Sequence, residues 1–118
     1  MDAVYEALTA IRAPLRQGEY DVHRLVMNAL DAAGIPYAHE VKLGPRCRID
    51  LMCGRVGIEV KRGKPEPKRI LQQLGRYAAC EGVDGLILVA ERTVAVPHTL
   101  CGKPVRVICL NRLWGIAL

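Results

Sequence analysis

The chain contains no phenylalanine, a single tryptophan and four tyrosines in 118 residues. A core built without Phe must be filled by Leu, Ile, Val and Ala, and an apolar share of 51% supplies enough of them for one domain spanning 1–118. No apolar run approaches the roughly 18 residues a bilayer span needs, and no charged-then-apolar opening reads as a secretory leader. A soluble, cytoplasmic protein with no membrane partner is therefore expected. The five cysteines (Cys47, Cys53, Cys80, Cys101, Cys109) are odd in number and lack any CxxC pair, which removes the usual zinc and redox motifs. Cys53, Cys80 and Cys109 fall in or beside apolar patterns and are expected as buried, reduced thiols. There is no internal repeat, low-complexity tract or interdomain linker.

The positive charge is concentrated. Residues 1–40 carry three Lys/Arg against six Asp/Glu, residues 41–80 carry ten against three, and the remainder is near neutral, for a net +5. A basic block flanking a few carboxylates suits a polyanion, although a solvated basic face has the same composition.

Periodicity predicts the element order α-α-β-β-β-α-β-β. Residues 2–13 pattern as a helix capped by Asp2 and stopped by Pro14. A second helix is expected over 19–33, where Val22, Leu25, Val26, Ala29, Leu30 and Ala33 share a face and Gly34 ends the run. Extended segments follow at 37–43, 47–53 and 56–62. A helix over 67–81 starts at Pro67, with Ile70, Leu71, Leu74, Tyr77 and Ala78 as its stripe. GLILVA (85–90) reads as a buried strand, a loop containing Pro97 follows, and 104–110 reads as the last strand. A hairpin followed by a strand–helix–strand unit implies an α/β fold with a mixed central sheet flanked by helices.

The segment RIDLMCGRVGIEVK (48–61) carries the chemistry. Gly54-Arg55 suits a two-residue type II′ turn, which pairs Cys53 with Val56, Asp50 with Glu59 and Arg48 with Lys61. Alternation then places Ile49, Leu51, Cys53, Val56, Ile58 and Val60 on a core face, and Arg48, Asp50, Glu59 and Lys61 on the other. Two carboxylates directly opposed on paired strands repel. Such a pair persists because cations neutralise it in a surface lattice, because it shares a proton, or because it binds a metal. The apolar opposite face and mid-chain position point to central strands, whose polar face opens only at a cleft. Oxygen donors there suit a hard cation such as Mg²⁺.

Asp50, eight intervening residues and Glu59-Val60-Lys61 resemble the Asp…(Asp/Glu)-x-Lys signature of the PD-(D/E)XK nuclease superfamily. The likeness covers about 19–90, and Gln73 with Tyr77 on the next helix is similar to the QxxxY element of the RecB-like branch. The resemblance implies a restriction-endonuclease-like αβββαβ core and a metal-dependent DNA endo- or exonuclease serving DNA repair or recombination; with no separate specificity domain in the sequence, it is expected to be structure-selective rather than sequence-selective. It implies that Asp50 and Glu59 ligate Mg²⁺ or Mn²⁺ with the Val60 carbonyl, and that Lys61 serves the attacking water and the phosphate. Lys61 is equally suited to pair with Asp50 across the strands. Glu19 is the candidate for the family's helix-borne acid, or a first-turn residue favoured by the helix dipole. Glu40, on the strand before the hairpin, competes for that place, and His23 lies one turn beyond Glu19. Gln73 and Tyr77 share a helix face and would support the site, or Tyr77 is core. Arg48, Lys64, Lys68, Arg69 and Arg76 are the candidate DNA phosphate contacts. Trp114 suits packing or a subunit interface, and the small footprint suits a homodimer. Some RecB-like relatives hold an iron–sulfur cluster on four cysteines, for which the apolar surroundings of three thiols here are ill suited. The alternative function is a catalytically silent nucleic-acid-binding or assembly module with the same fold. A third reading is an unrelated interaction domain with a chance motif.

Overall fold

A computed structural model describes residues 1–14 and 20–115. The elements in order are α1 (Asp2–Thr9), α2 (Val22–Ala32), β1 (Ala38–Gly44), β2 (Cys47–Cys53), β3 (Val56–Lys61), α3 (Pro67–Ala78), β4 (Gly85–Ala90), β5 (Thr99–Leu100), β6 (Lys103–Cys109) and α4 (Leu110–Leu113). The six strands form one mixed sheet in the order β1-β2-β3-β4-β6-β5. β1, β2 and β3 are antiparallel neighbours, whereas β3, β4 and β6 run parallel. The chain is an α/β protein whose α-β-β-β-α-β order is consistent with a restriction-endonuclease-like core.

Helices cover both faces of the sheet. On one face, Val4 and Leu8 of α1 and Val22, Val26 and Leu30 of α2 pack on Leu51, Cys53, Ile58, Val60, Ile87, Val89 and Ile108. On the other, Ile70, Leu74, Tyr77 and Ala78 of α3 pack on Ile49, Met52, Leu86, Leu88, Ala90 and Val105. β4 is buried at every position, which is why GLILVA is unbroken by polar residues: a parallel strand covered on both faces has no wet side. Among the described residues, no helix is long and apolar enough to cross a membrane.

Local chemistry sets the ends of these elements. Asp21 caps α2 by accepting from the His23 amide at 3.0 Å. Gly34, at φ +70°, closes the same helix: its amide reaches the Asp31 carbonyl and the Ile35 amide the Leu30 carbonyl, the paired bonds of a Schellman stop. α2 is thus shorter than the expected 19–33. α1 stops at Thr9 rather than 13, because the Ala10 and Ile11 amides bond three residues back and tighten the last turn. Asp2 lies inside that helix and pairs with Arg106 at 3.1 Å instead of capping it. At the β2–β3 tip, Arg55 binds Asp84 at 2.7 Å and pins the turn to the loop before β4.

β5 and α4 depart from the sequence reading. Cys101 and Gly102 both adopt positive φ (51° and 72°), forming a tight turn that pairs Leu100 with Lys103 where a loop was expected. Of the thiols expected to be buried, Cys53 is, while Cys80 and Cys109 are half-buried.

Candidate active site

The β2–β3 hairpin begins in the expected register, with Cys53 opposite Val56, Met52 opposite Gly57 and Leu51 opposite Ile58. Gly54 sits at φ +59° and Arg55 is not left-handed, as a type II′ turn requires. Beyond Leu51 and Ile58 the regular ladder gives way. The Asp50 amide donates to Glu59 Oε1 at 3.3 Å, and the Val60 amide donates to Asp50 Oδ2 at 2.7 Å. Each carboxylate binds a main-chain N–H of the opposite strand. The two acids thus meet in the seam between β2 and β3.

The faces also differ from simple alternation. Ile49 was expected beside Leu51, yet it packs under α3 with Met52, while Leu51 and Cys53 face α1 and α2. The neighbouring strand does the same: Tyr37 lies on the α1/α2 side, Val41 and Leu43 on the α3 side. Both reversals fall at one level of the sheet. Glu40 adopts φ +54° between the pairs His39–Leu51 and Val41–Ile49, which places it opposite Asp50. A left-handed residue turns the following side chains over, and β2 follows its partner. Gly57 makes room for the result: a Cβ there would lie 2.5 Å from Ile49 Cδ1 and 3.0 Å from Leu86 Cδ2. Asp50 and Glu59 therefore do not share one flat polar face with Arg48 and Lys61. Asp50 reaches toward α2, where His23 Nε2 is 3.5 Å from Oδ1, and Glu59 reaches toward α3.

Glu59 is the one charged residue in the core of the described chain, 3% exposed. Lys61 Nζ stands 3.4 Å from its Oε2, so Lys61 pairs with Glu59 two residues away rather than with Asp50 across the strands. Tyr77 Oη donates to Glu59 Oε2 at 3.1 Å or to the Arg48 carbonyl at 2.9 Å, and it accepts from Gln73 Nε2 at 2.9 Å. One phenolic proton serves one acceptor at a time, so the hydroxyl braces the strand and the carboxylate in alternation. Burial, reinforced by the charge of Asp50, pushes the Glu59 carboxyl up to about 7 against the pull of Lys61. The Tyr77 hydroxyl is pushed up as well, by burial first and then by Glu59.

The remaining expected residues divide. Lys61, Lys64, Arg69, Gln73 and Arg76 line one open cleft of about 690 Å³ together with Arg62. Arg48 and Lys68 are exposed and lie outside its lining. Glu40 is exposed, and among the described residues it makes no ion pair. Glu19 lies outside the described residues.

Sequence reasoning missed Glu91. Immediately beyond β4, it accepts from the Gly63 amide and the Tyr20 hydroxyl and lies 3.7 Å from Arg62 Nε. Arg62 in turn donates to the Tyr20 carbonyl at 2.6 Å and stacks over its ring at 4.7 Å. This cluster ties the loop after Lys61 to the segment entering α2. Its sequence signal was slight, a lone acid following a buried strand.

The seam suits a hard cation. Two carboxylates converge with one lysine beside them, and burial together with the charge of Asp50 holds the Glu59 carboxyl up in its titration. In a strand the N–H and C=O of one residue point to the same neighbour, so the Val60 carbonyl faces the seam that its amide faces. Among the described residues no further His, Cys, Asp or Glu completes a three-ligand group with them. No protein-family model matches the chain, and comparison with curated proteins and with solved structures gives no match.

Proposed function

We propose that the chain is a metal-dependent nuclease of the PD-(D/E)XK type that hydrolyses phosphodiester bonds in DNA. The observation carrying this reading is the meeting of Asp50 and Glu59 in the β2–β3 seam, with Lys61 at 3.4 Å from Glu59 and a basic cleft opening beside them. Asp50, Glu59 and the Val60 carbonyl would hold Mg²⁺ or Mn²⁺. When bound, the cation lowers the pKa of water and neutralises charge on the phosphate. Lys61, whose ammonium stands 3.4 Å from Glu59, would donate hydrogen bonds to the attacking water and to a non-bridging phosphate oxygen. Tyr77 holds Glu59 and the Arg48 carbonyl, keeping the seam at a fixed width. The cations of the cleft, Lys64, Arg69 and Arg76, bind phosphates flanking the scissile one.

The test is single-turnover cleavage of labelled single strands, duplex ends, flaps and junctions with Mg²⁺, Mn²⁺ or EDTA. The same protein is assayed for binding across a salt series, where affinity should fall steeply. Lys61→Ala removes one cation of the basic block, so binding weakens modestly, while cleavage falls by about 100-fold or more. Melting curves check that the variant is folded. Folded wild type that binds DNA without metal-dependent cleavage would establish the silent binding module instead, and undiminished cleavage by Lys61→Ala would overturn the role of the lysine.

A further inference from the structure

None of the five cysteines is in a disulfide, yet two from distant parts of the chain meet. Cys47 opens β2 and Cys80 follows the end of α3, with their Sγ atoms 3.9 Å apart. Both are half-buried. A disulfide requires about 2.05 Å between sulfurs. Side-chain rotation at two residues that share no strand or helix would supply the remaining approach of about 2 Å. The other thiols are differently placed. Cys53 packs on the α1/α2 side, Cys101 is exposed in the β5–β6 turn, and Cys109 contacts Thr93 and the Glu91 carbonyl.

We propose that Cys47 and Cys80 are an oxidation site that closes, under a peroxide, to an intramolecular disulfide fastening the end of α3 to the start of β2. The thiolate of one cysteine displaces hydroxide from the peroxide O–O bond and becomes a sulfenic acid. The second thiol attacks that sulfur, the S–O bond breaks, and the oxygen leaves as water with the thiol's proton. Two electrons pass from the sulfurs to hydrogen peroxide, which becomes two waters. A dithiol reductant reverses the bond by exchange.

The new link would stand beside an existing one. Cys80 follows α3 with its amide bonded to the Tyr77 carbonyl at 3.0 Å, and Cys47 precedes Arg48, whose carbonyl accepts from the Tyr77 hydroxyl at 2.9 Å. The bond therefore doubles the tether between α3 and β2 and closes a loop containing Asp50, Glu59 and Lys61. The inference does not rest on the nuclease reading, since its readouts are linkage and stability.

The experiment uses the full chain carrying Cys101→Ser, which removes the exposed thiol that would pair between molecules. After hydrogen peroxide and alkylation of remaining thiols, non-reducing peptide mapping should find Cys47 joined to Cys80. Closing a loop of about 30 residues should raise Tm by roughly 10 °C, reversed by dithiothreitol. Cys80→Ser should abolish both changes. If that variant folds poorly, mapping of the parent still decides. Oxidation that leaves Cys47 and Cys80 alkylated separately, or joins either to another cysteine, would overturn the proposal, as would a formed bond that leaves Tm unchanged.

Discussion

Replacing Glu59 by glutamine should make the metal-free protein more stable at pH 8 and leave it unchanged near pH 4.5. The carboxyl titrates at about 7 in the fold against 4.5 for the open chain, with burial the first cause and Asp50 the second. Below about 4.5 it is protonated in both states and costs nothing. As pH rises toward 7 the unfolded chain releases the proton while the folded chain keeps it, so stability falls through that window. Above 7 the full difference persists, about 3 kcal/mol. The pull of Lys61 is already contained in that net shift, so glutamine, which stands in for the protonated acid, removes the whole penalty. The gain at pH 8 is then about 3 kcal/mol, or roughly 12 °C in Tm for a chain of this size. The assay is chemical unfolding of wild type and Glu59→Gln in EDTA between pH 4.5 and 8, read as the difference between the two curves. Parallel curves across that range would refute the reasoning, because they would mean that Glu59 ionises in the fold as freely as in the open chain. Adding Mg²⁺ at pH 8 should stabilise wild type and not the variant, since only the wild-type seam keeps both carboxylates to bind it.

Tyr77→Phe keeps the ring in the core but leaves the Arg48 carbonyl, Glu59 and Gln73 without the hydroxyl they share. Urea denaturation should show a loss of about 1–3 kcal/mol, and a midpoint equal to wild type would show that the brace carries no energy. Gly57→Ala drives a methyl to 2.5 Å from Ile49 Cδ1 and should cost about 1–3 kcal/mol. A neutral result in the same denaturation assay would mean that Ile49 is not seated on that glycine.

Much of this was legible because local rules agree with the fold. The GLILVA strand, the Gly54-Arg55 turn and the Pro67 start of α3 each follow from a few adjacent residues, and the structure places each where the sequence did. Asp50 and Glu59 were legible as neighbours because a turn of known type fixes register. The manner of their meeting was not. It depends on a left-handed Glu40, a conformation that glutamate does not advertise, and on Gly57 yielding space to Ile49 across the hairpin. The Cys47–Cys80 contact and the Glu91 cluster join residues far apart in the chain, and no periodicity encodes such encounters. The β5–β6 turn carries a weaker local signal: Cys at a left-handed position hides a turn that Asn-Gly would have announced.

The left-handed Glu40 has a second consequence, for the rim of the sheet. β1 is an outermost strand, and its unpaired side offers amides and carbonyls to any passing extended chain. Seven residues would be long enough to template such an addition. With Glu40 turned over near the middle, the rim is two short stretches whose pleats disagree, so an incoming strand matched to His39 is out of phase at Val41. The backbone angle that delivers Asp50 to the seam thus also guards the open edge against stacking into fibres, and a substitution that relaxed it would endanger solubility along with the site.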